Sequence, residues 1–118
     1  MLPYNTESHH AIGAAELAQI KPTATLTHIA RGGIVDDAAL AVALRKRRIA
    51  AAGLDVFERE RKLHLDLLTV LNVVLTPRIA SSTLATRRSM ADLAAKDLVA
   101  ALTSGTPPTP SNPGVLKG

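Results

Sequence analysis

The stretch Ile29-Ala-Arg-Gly-Gly-Ile-Val-Asp36 joins two predicted elements and concentrates much of the polar chemistry of this chain. An apolar run from Thr25 to Ala30 predicts a β-strand leading into it, and Asp36 is a residue type that caps a following helix. The two glycines indicate a tight turn between strand and helix. Arg31 therefore stands at the carboxyl end of a predicted strand, which is the edge where open α/β sheets bind their ligands.

Strands and helices are predicted to alternate along the rest of the chain. Strands are expected at 25–30, 50–56 and 72–75, and helices at 14–20, from 36 or 37 to about 47, and from about 84 to 102, with one helical turn at 65–68. This order predicts an α/β fold with a mostly parallel sheet of about three strands, flanking helices and a long C-terminal helix. Residues 1–104 form the predicted domain, and residues 105–118 form a proline- and glycine-rich tail without structure of its own.

The composition excludes several kinds of site. A chain of 118 residues has room for one domain with a moderate core. It contains no cysteine, so disulfides and cysteine metal sites are excluded. The four histidines (His9, His10, His28 and His64) lack a paired ligand spacing, so no metal site is predicted.

The formal net charge of +4 raises the question of a nucleic-acid partner. The densest basic run, Arg45-Lys-Arg-Arg48, ends a predicted helix, where cations complement the helix dipole. Aromatic residues that could stack on bases are nearly absent, so no nucleic-acid partner is expected. Nothing resembles a signal peptide or a membrane span, and we expect a soluble cytoplasmic protein with no membrane partner.

Polar residues follow each predicted strand. Arg31 follows the first, Asp55 lies at the end of the second, and the pair Pro77-Arg78 follows the third. In a parallel sheet all three positions share one edge. With Glu58 and Glu60 nearby, this edge carries both carboxylates and guanidiniums, which suits either an anionic substrate with an orienting acid or a set of surface ion pairs.

Several motifs in order resemble one family. They are the Ile29–Asp36 run, then Ala51-Ala-Gly-Leu-Asp-Val-Phe-Glu58, then Asn72-Val-Val-Leu-Thr-Pro77. Together they resemble the D-isomer-specific 2-hydroxyacid dehydrogenases, and are most similar to the glyoxylate/hydroxypyruvate reductase and phosphoglycerate dehydrogenase branches. The resemblance covers nearly the whole chain. It implies the second half of a Rossmann domain that binds NAD or NADP, and a small 2-oxo or 2-hydroxy acid as substrate.

The resemblance also implies roles for particular residues. Ala30 and Arg31 would lie at the nicotinamide, where Arg31 binds the carboxylate and carbonyl of the substrate. Asp55 would contact the nicotinamide carboxamide. The family's orienting glutamate is ambiguous between Glu58 and Glu60, and counting from Asp55 favours Glu60. In the family this glutamate holds a histidine that transfers the proton.

The chain departs from the family pattern at that histidine. The family motif reads Thr-Pro-His, whereas this chain reads Thr76-Pro77-Arg78. A guanidinium does not release its proton at neutral pH, so Arg78 cannot shuttle one, and we expect it to pair with Glu60. The phosphate loop Gly-x-Gly-x-x-Gly does not occur in the sequence. Weak cofactor binding is therefore expected.

Two interpretations follow from these departures. The first is a fragment of an NAD(P)-dependent oxidoreductase that is inactive alone and needs a complementing chain. The second is a non-catalytic remnant or interaction module that forms a homodimer or binds a partner chain. The second is motivated by the alanine- and leucine-rich face of the last predicted helix, which would otherwise be left uncovered.

Overall fold

The computed structural model describes residues 2–60, 63–103 and 105–114. The chain divides into two compact units, and the boundary lies between Ala80 and Ser81. The first unit holds the sheet and all the predicted site residues, and the second holds the long C-terminal helix.

The first unit is built around a small parallel sheet. Its elements in chain order are α1 (Ala14–Gln19), β1 (Thr25–His28), α2 (Asp37–Arg45), β2 (Ala51–Leu54), the 3₁₀ helix η1 (Leu65–Thr69) and β3 (Val73–Leu75). The strands pair in the order β1-β2-β3, and both pairings are parallel. The predicted α/β fold with about three parallel strands and flanking helices is confirmed.

Strand β1 is shorter than its apolar run predicted. It ends at His28, where the backbone N–H of Asp55 donates to the His28 carbonyl at 3.0 Å. Beyond this bond the chain leaves the ladder and enters the glycine turn, so Arg31 lies past the strand end and not directly at it. Ile29, which follows the strand, is exposed, so the apolar run extends beyond the paired residues.

The core lies between α2 and β2. Asp36 caps α2 by accepting a hydrogen bond from the Ala39 N–H at 2.9 Å, as predicted from its residue type. The largest side chains that are almost fully buried are Leu17, Leu40, Leu44, Ile49, Leu54, Leu67 and Val35. These residues form one cluster, which ties both helices, the central strand and η1 together.

The apolar run at 50–56 is typical of a strand covered on both faces of a parallel sheet, but in the described part of the chain β2 is covered on one face. Ala52 and Leu54 are buried, whereas Ala51 and Gly53 are partly exposed, and a Cβ on Gly53 would meet nothing within 4 Å. A run of small residues carries little apolar surface. It therefore fits a strand with one covered face as well as a strand with two.

The second unit contains α3, which spans Leu84–Thr103. None of its residues is buried, and its exposed side chains include Leu98, Val99 and Leu102. The tail has no strand or α-helix in residues 105–114, but Thr109 donates to the Asp97 carboxylate through its N–H (3.0 Å) and its hydroxyl (2.5 Å). No helix among the described ranges is both long enough and apolar enough to cross a bilayer.

Candidate active site

The Arg31 turn is shaped by its two glycines. Gly33 has φ +83°, a left-handed conformation that side chains with a Cβ rarely adopt. Gly32 packs so closely on the Phe57 carbonyl that a Cβ would overlap it. Arg31 is exposed, and its Nη1 donates to the Ala30 carbonyl at 2.8 Å. The turn therefore holds Arg31 at the surface, beside the chain that follows β2.

Asp55 organises the edge where β2 and β3 end. Its carboxylate is buried and accepts three hydrogen bonds, from the Thr76 hydroxyl (2.5 Å), the Ile79 N–H (2.7 Å) and the Ala80 N–H (2.9 Å). The Thr76 hydroxyl chiefly, together with these backbone donors, lowers the pKa of Asp55 below its ordinary value. Asp55 thus stays ionised and fixes the turn that carries Arg78.

Glu60 and Arg78 form an ion pair. Both side chains are about half exposed, and both line a cavity of about 210 Å³ whose walls also include Asp55 and Phe57. The ion pair expected from the sequence is therefore confirmed. Glu58 instead lies beside His10, with 3.2 Å between Glu58 Oε1 and His10 Nε2.

The predicted site residues fall into two places. Asp55, Glu60 and Arg78 line one cavity, as expected for strand ends that share an edge. Arg31 lines a different cavity of about 400 Å³, together with Leu2, Pro3 and Tyr4. Ala30 contributes its carbonyl to Arg31. The catalytic and cofactor roles assigned to these residues remain predictions.

A buried histidine and aspartate were not expected at this edge. His28 is 6% exposed, and burial lowers its pKa, while its Nε2 makes no hydrogen bond to any described residue. Asp37 is 3% exposed, and burial raises its pKa although it accepts the Glu58 N–H at 3.0 Å. The alternation of β1 could have indicated His28, because it lies on the same face as the half-buried Leu26.

The structure also brings together residues that are far apart in sequence. His9, His10 and Glu58 each offer a ligand-type atom, and these atoms lie within 4.8 Å of one another. No metal site was predicted, because the spacing of the histidines along the chain does not show that Glu58 lies beside His9 and His10.

The first unit of the chain matches one family of known proteins. The family model for the "D-isomer specific 2-hydroxyacid dehydrogenase, NAD binding domain" matches residues 1–80, which is more than half of the chain. The chain belongs to the D-isomer-specific 2-hydroxyacid dehydrogenases. The family suggested by the sequence motifs is therefore confirmed. The matched domain is the one through which this family binds NAD.

Relatives in the family are similar along almost all of this chain. A glyoxylate reductase of Thermococcus gammatolerans is 46% identical over 98% of the chain, and a glyoxylate/hydroxypyruvate reductase B of Pectobacterium carotovorum is 48% identical over 98%. The crystal structure of an NADPH-dependent glyoxylate/hydroxypyruvate reductase from Sinorhizobium meliloti, in complex with NADP and malonate, is 39% identical with a TM-score of 0.85 over 93% of the chain.

The chain spans about a third of the length of these dehydrogenases. It covers 35% of the Thermococcus protein, 37% of the Pectobacterium protein and 34% of the Sinorhizobium chain. The shared third contains the strands β1, β2 and β3 and the helix α3.

Proposed function

We propose that this chain is the substrate-facing part of the cofactor domain of an NAD(P)-dependent reductase of 2-oxo acids such as glyoxylate or hydroxypyruvate, and that it is inactive alone. The observation that carries the proposal is the placement of Asp55, Glu60 and Arg78 around one cavity at the carboxyl edge of a parallel sheet. The names and similarity of the relatives support the substrate class. A cytoplasmic location, where such cofactors are available, belongs to the same proposal.

The residues at this edge fit a nicotinamide group. A carboxylate has about four acceptor sites, and Asp55 uses three of them for Thr76, Ile79 and Ala80. One site on Oδ2 is thus left for a carboxamide N–H, and the depressed pKa keeps it an acceptor. When bound, the nicotinamide supplies the hydride for reduction of a carbonyl carbon.

Arg31 is the group we expect to bind the substrate. Its guanidinium is planar and carries several N–H donors, so it can hold a carboxylate through two parallel hydrogen bonds. The same donors polarise a neighbouring carbonyl, because they favour the negative charge that develops on its oxygen. The exposure of Arg31 in a cavity of about 400 Å³ leaves room for a small acid beside it.

The position of the family's proton-transferring histidine is occupied by Arg78 in this sequence. Glu60 is paired with Arg78, and a guanidinium that stays charged can hold a carboxylate in place but cannot deliver a proton to an alkoxide. Loss of a general acid typically lowers the rate by about 10²–10⁴-fold. Together with the absence of a Gly-x-Gly-x-x-Gly loop from the sequence, this favours weak cofactor binding and no turnover.

Two measurements on the full 118-residue chain test the proposal. Oxidation of NADPH and NADH, followed by absorbance with glyoxylate or hydroxypyruvate, should be undetectable for the chain and for its Arg78→His variant. Cofactor titration by calorimetry should give weak binding that Asp55→Asn abolishes, whereas Lys96→Ala in the second unit leaves it unchanged. Turnover by Arg78→His alone would refute the fragment proposal, and binding unaffected by Asp55→Asn would refute the assignment of Asp55.

The exposed face of α3 supports a second candidate function. Leu98 (61% exposed), Val99 (60%) and Leu102 (79%) present apolar surface on a helix without a buried residue. A second copy of the chain or a complementing dehydrogenase chain would cover this face. Light scattering should then show a dimer that Leu98→Lys dissociates and Lys96→Ala does not. A monomer at high concentration would exclude the homodimer.

A further inference from the structure

Two neighbouring histidines and a distant glutamate converge beside the Arg31 turn. His9 and His10 stack with their ring centroids 3.8 Å apart, and His10 Nε2 lies 3.2 Å from Glu58 Oε1. His10 adopts a positive φ of 51°, and its N–H donates to the Gly33 carbonyl at 2.8 Å. The backbone is thus held in an uncommon conformation that turns the His10 ring toward Glu58.

We propose that His9, His10 and Glu58 form a binding site for a divalent transition-metal ion such as Zn²⁺. One ligand-type atom from each residue lies within 4.8 Å of the others. Bonds of 2.0–2.2 Å to one tetrahedral ion place neighbouring ligand atoms about 3.4 Å apart. The His10–Glu58 distance is already close to this value, so only His9 must approach.

The outer contacts of both imidazoles leave the same nitrogen for a metal. The hydroxyl of Tyr4 lies 3.1 Å from His9 Nδ1, and the carboxylate of Asp36 lies 3.8 Å from His10 Nδ1. The Tyr4 hydroxyl can orient the His9 ring as such hydrogen-bonded partners do in metal sites, whereas Asp36 lies beyond hydrogen-bond distance of His10. Both Nε2 atoms are then available to the ion.

His10 Nε2 is itself in an unusual state. The atom is buried and makes no hydrogen bond to any residue in the described ranges, although Glu58 Oε1 is 3.2 Å away. A buried ring nitrogen without a partner is costly, and a metal bond would satisfy it together with the carboxylate.

The stacked rings define the movement that binding requires. Lone pairs of imidazole nitrogens lie in the ring plane, and the two planes are within 24° of parallel, so they do not converge on one point. His9 is exposed and its ring contacts Tyr4, which is 53% exposed, so the His9 ring can tilt toward Glu58 without disturbing the core. His10 and Glu58 provide the fixed half of the site.

The donor set determines which ions fit. Imidazole nitrogen suits Zn²⁺, Ni²⁺ and Cu²⁺, whereas Mg²⁺ and Ca²⁺ prefer sites made only of oxygen. Two nitrogens and one carboxylate leave at least one coordination position for water. Bound metal would join the loop that carries His9 and His10 to the segment after β2, and so raise the thermal stability of the first unit.

Calorimetric titration of the full chain with Zn²⁺ tests the site. We expect one saturable site per chain, weakened at least about tenfold by His9→Ala and by Glu58→Gln. Two controls, Glu7→Gln in the same loop and Asp92→Asn on the exposed helix of the second unit, should bind Zn²⁺ as the unmodified chain does. Binding that both ligand variants retain in full, or no saturable binding at all, would overturn the proposal.

Spectroscopy guards against loss of folding as the cause. Co²⁺ should give visible absorption with the unmodified chain and the two controls, and its intensity should fall in both ligand variants while their far-ultraviolet circular dichroism stays unchanged. Zn²⁺ should raise the melting temperature of the unmodified chain and of the two controls, but not that of the ligand variants. This ligand set would be contradicted if Zn²⁺ raised the melting temperature of Glu58→Gln as much as that of the unmodified chain. It would also be contradicted if Ca²⁺ stabilised the unmodified chain as much as Zn²⁺ does.

Discussion

Replacing Gly32 by alanine tests how tightly the Arg31 turn is held against the segment after β2. The φ of Gly32 lies outside the left-handed region, so an alanine there meets no backbone penalty of that kind. Its Cβ would instead overlap the carbonyl group of Phe57, which belongs to the backbone and cannot rotate away as a side chain can. The two segments must therefore separate.

The magnitude follows from the nature of this obstacle. Overpacking a well-packed region costs about 1–3 kcal/mol, and an obstacle made of backbone favours the upper end, about 3 kcal/mol. For a unit of 60–100 residues, each kcal/mol lowers Tm by about 4–8 °C, so Gly32→Ala should lower Tm by about 12–24 °C. Urea unfolding followed by circular dichroism should show the same loss at an unchanged m-value.

Gly53→Ala is the matched control. A Cβ on Gly53 meets nothing within 4 Å, and alanine restricts the unfolded chain, so this change should be neutral or stabilise by about 0.4–1 kcal/mol. The reasoning is refuted if Gly32→Ala and Gly53→Ala unfold within about 0.5 kcal/mol of each other, which is the usual range for surface substitutions. In that case the close approach to Phe57 would carry no energetic weight.

Three further predictions concern single side chains. Thr76→Val should raise the pKa of Asp55, because it removes the hydroxyl that lowers this pKa most, whereas Thr76→Ser should leave the pKa of Asp55 low. NMR of the Asp55 carboxyl carbon would measure both. Leu40→Ala should cost about 2–5 kcal/mol of unfolding free energy, against less than about 1 kcal/mol for the 42% exposed Val42→Ala, and equal losses would contradict the core assignment. Burial lowers the pKa of His28 in the folded chain, whereas in the unfolded chain His28 has its ordinary pKa of about 6.5. Below about pH 6.5 the unfolded chain therefore binds more protons, and stability is lost as the pH falls through the folded-state pKa of His28. His28→Asn should flatten this decline between about pH 7 and pH 5, and an unchanged slope in urea titrations would exclude His28 as its source.

The sequence predicted the elements better than their ends. Helix α2 and the strands were expected close to where they lie, because apolar periodicity and the Asp36 cap are local signals. The end of β1 was missed because pairing depends on the neighbouring strand. The bond from Asp55 to His28 marks that end, and the apolar run does not.

The candidate site shows the same division. Glu60 and Arg78 were expected to pair because the resemblance implies that Glu60 holds the residue at the family's histidine position, which is Arg78 here, and they do pair. The separation of Arg31 into another cavity was not expected, since strand order alone does not fix where a turn directs its side chain. The approach of Glu58 to His9 and His10 depends on tertiary packing between distant segments, which spacing along the chain cannot reveal.

The order of the strands in space is the same as their order in the chain, and this has a consequence for synthesis. Each strand pairs with the one made just before it, so β2 can join β1, and β3 can join β2, as the chain leaves the ribosome. Of the three strands that the structure describes, none has to be inserted between two that are already paired, and contacts between successive segments favour rapid folding. The sheet therefore grows in one direction, and the acidic edge with Asp55 and Glu60 is completed when the turn carrying Arg78 is added last.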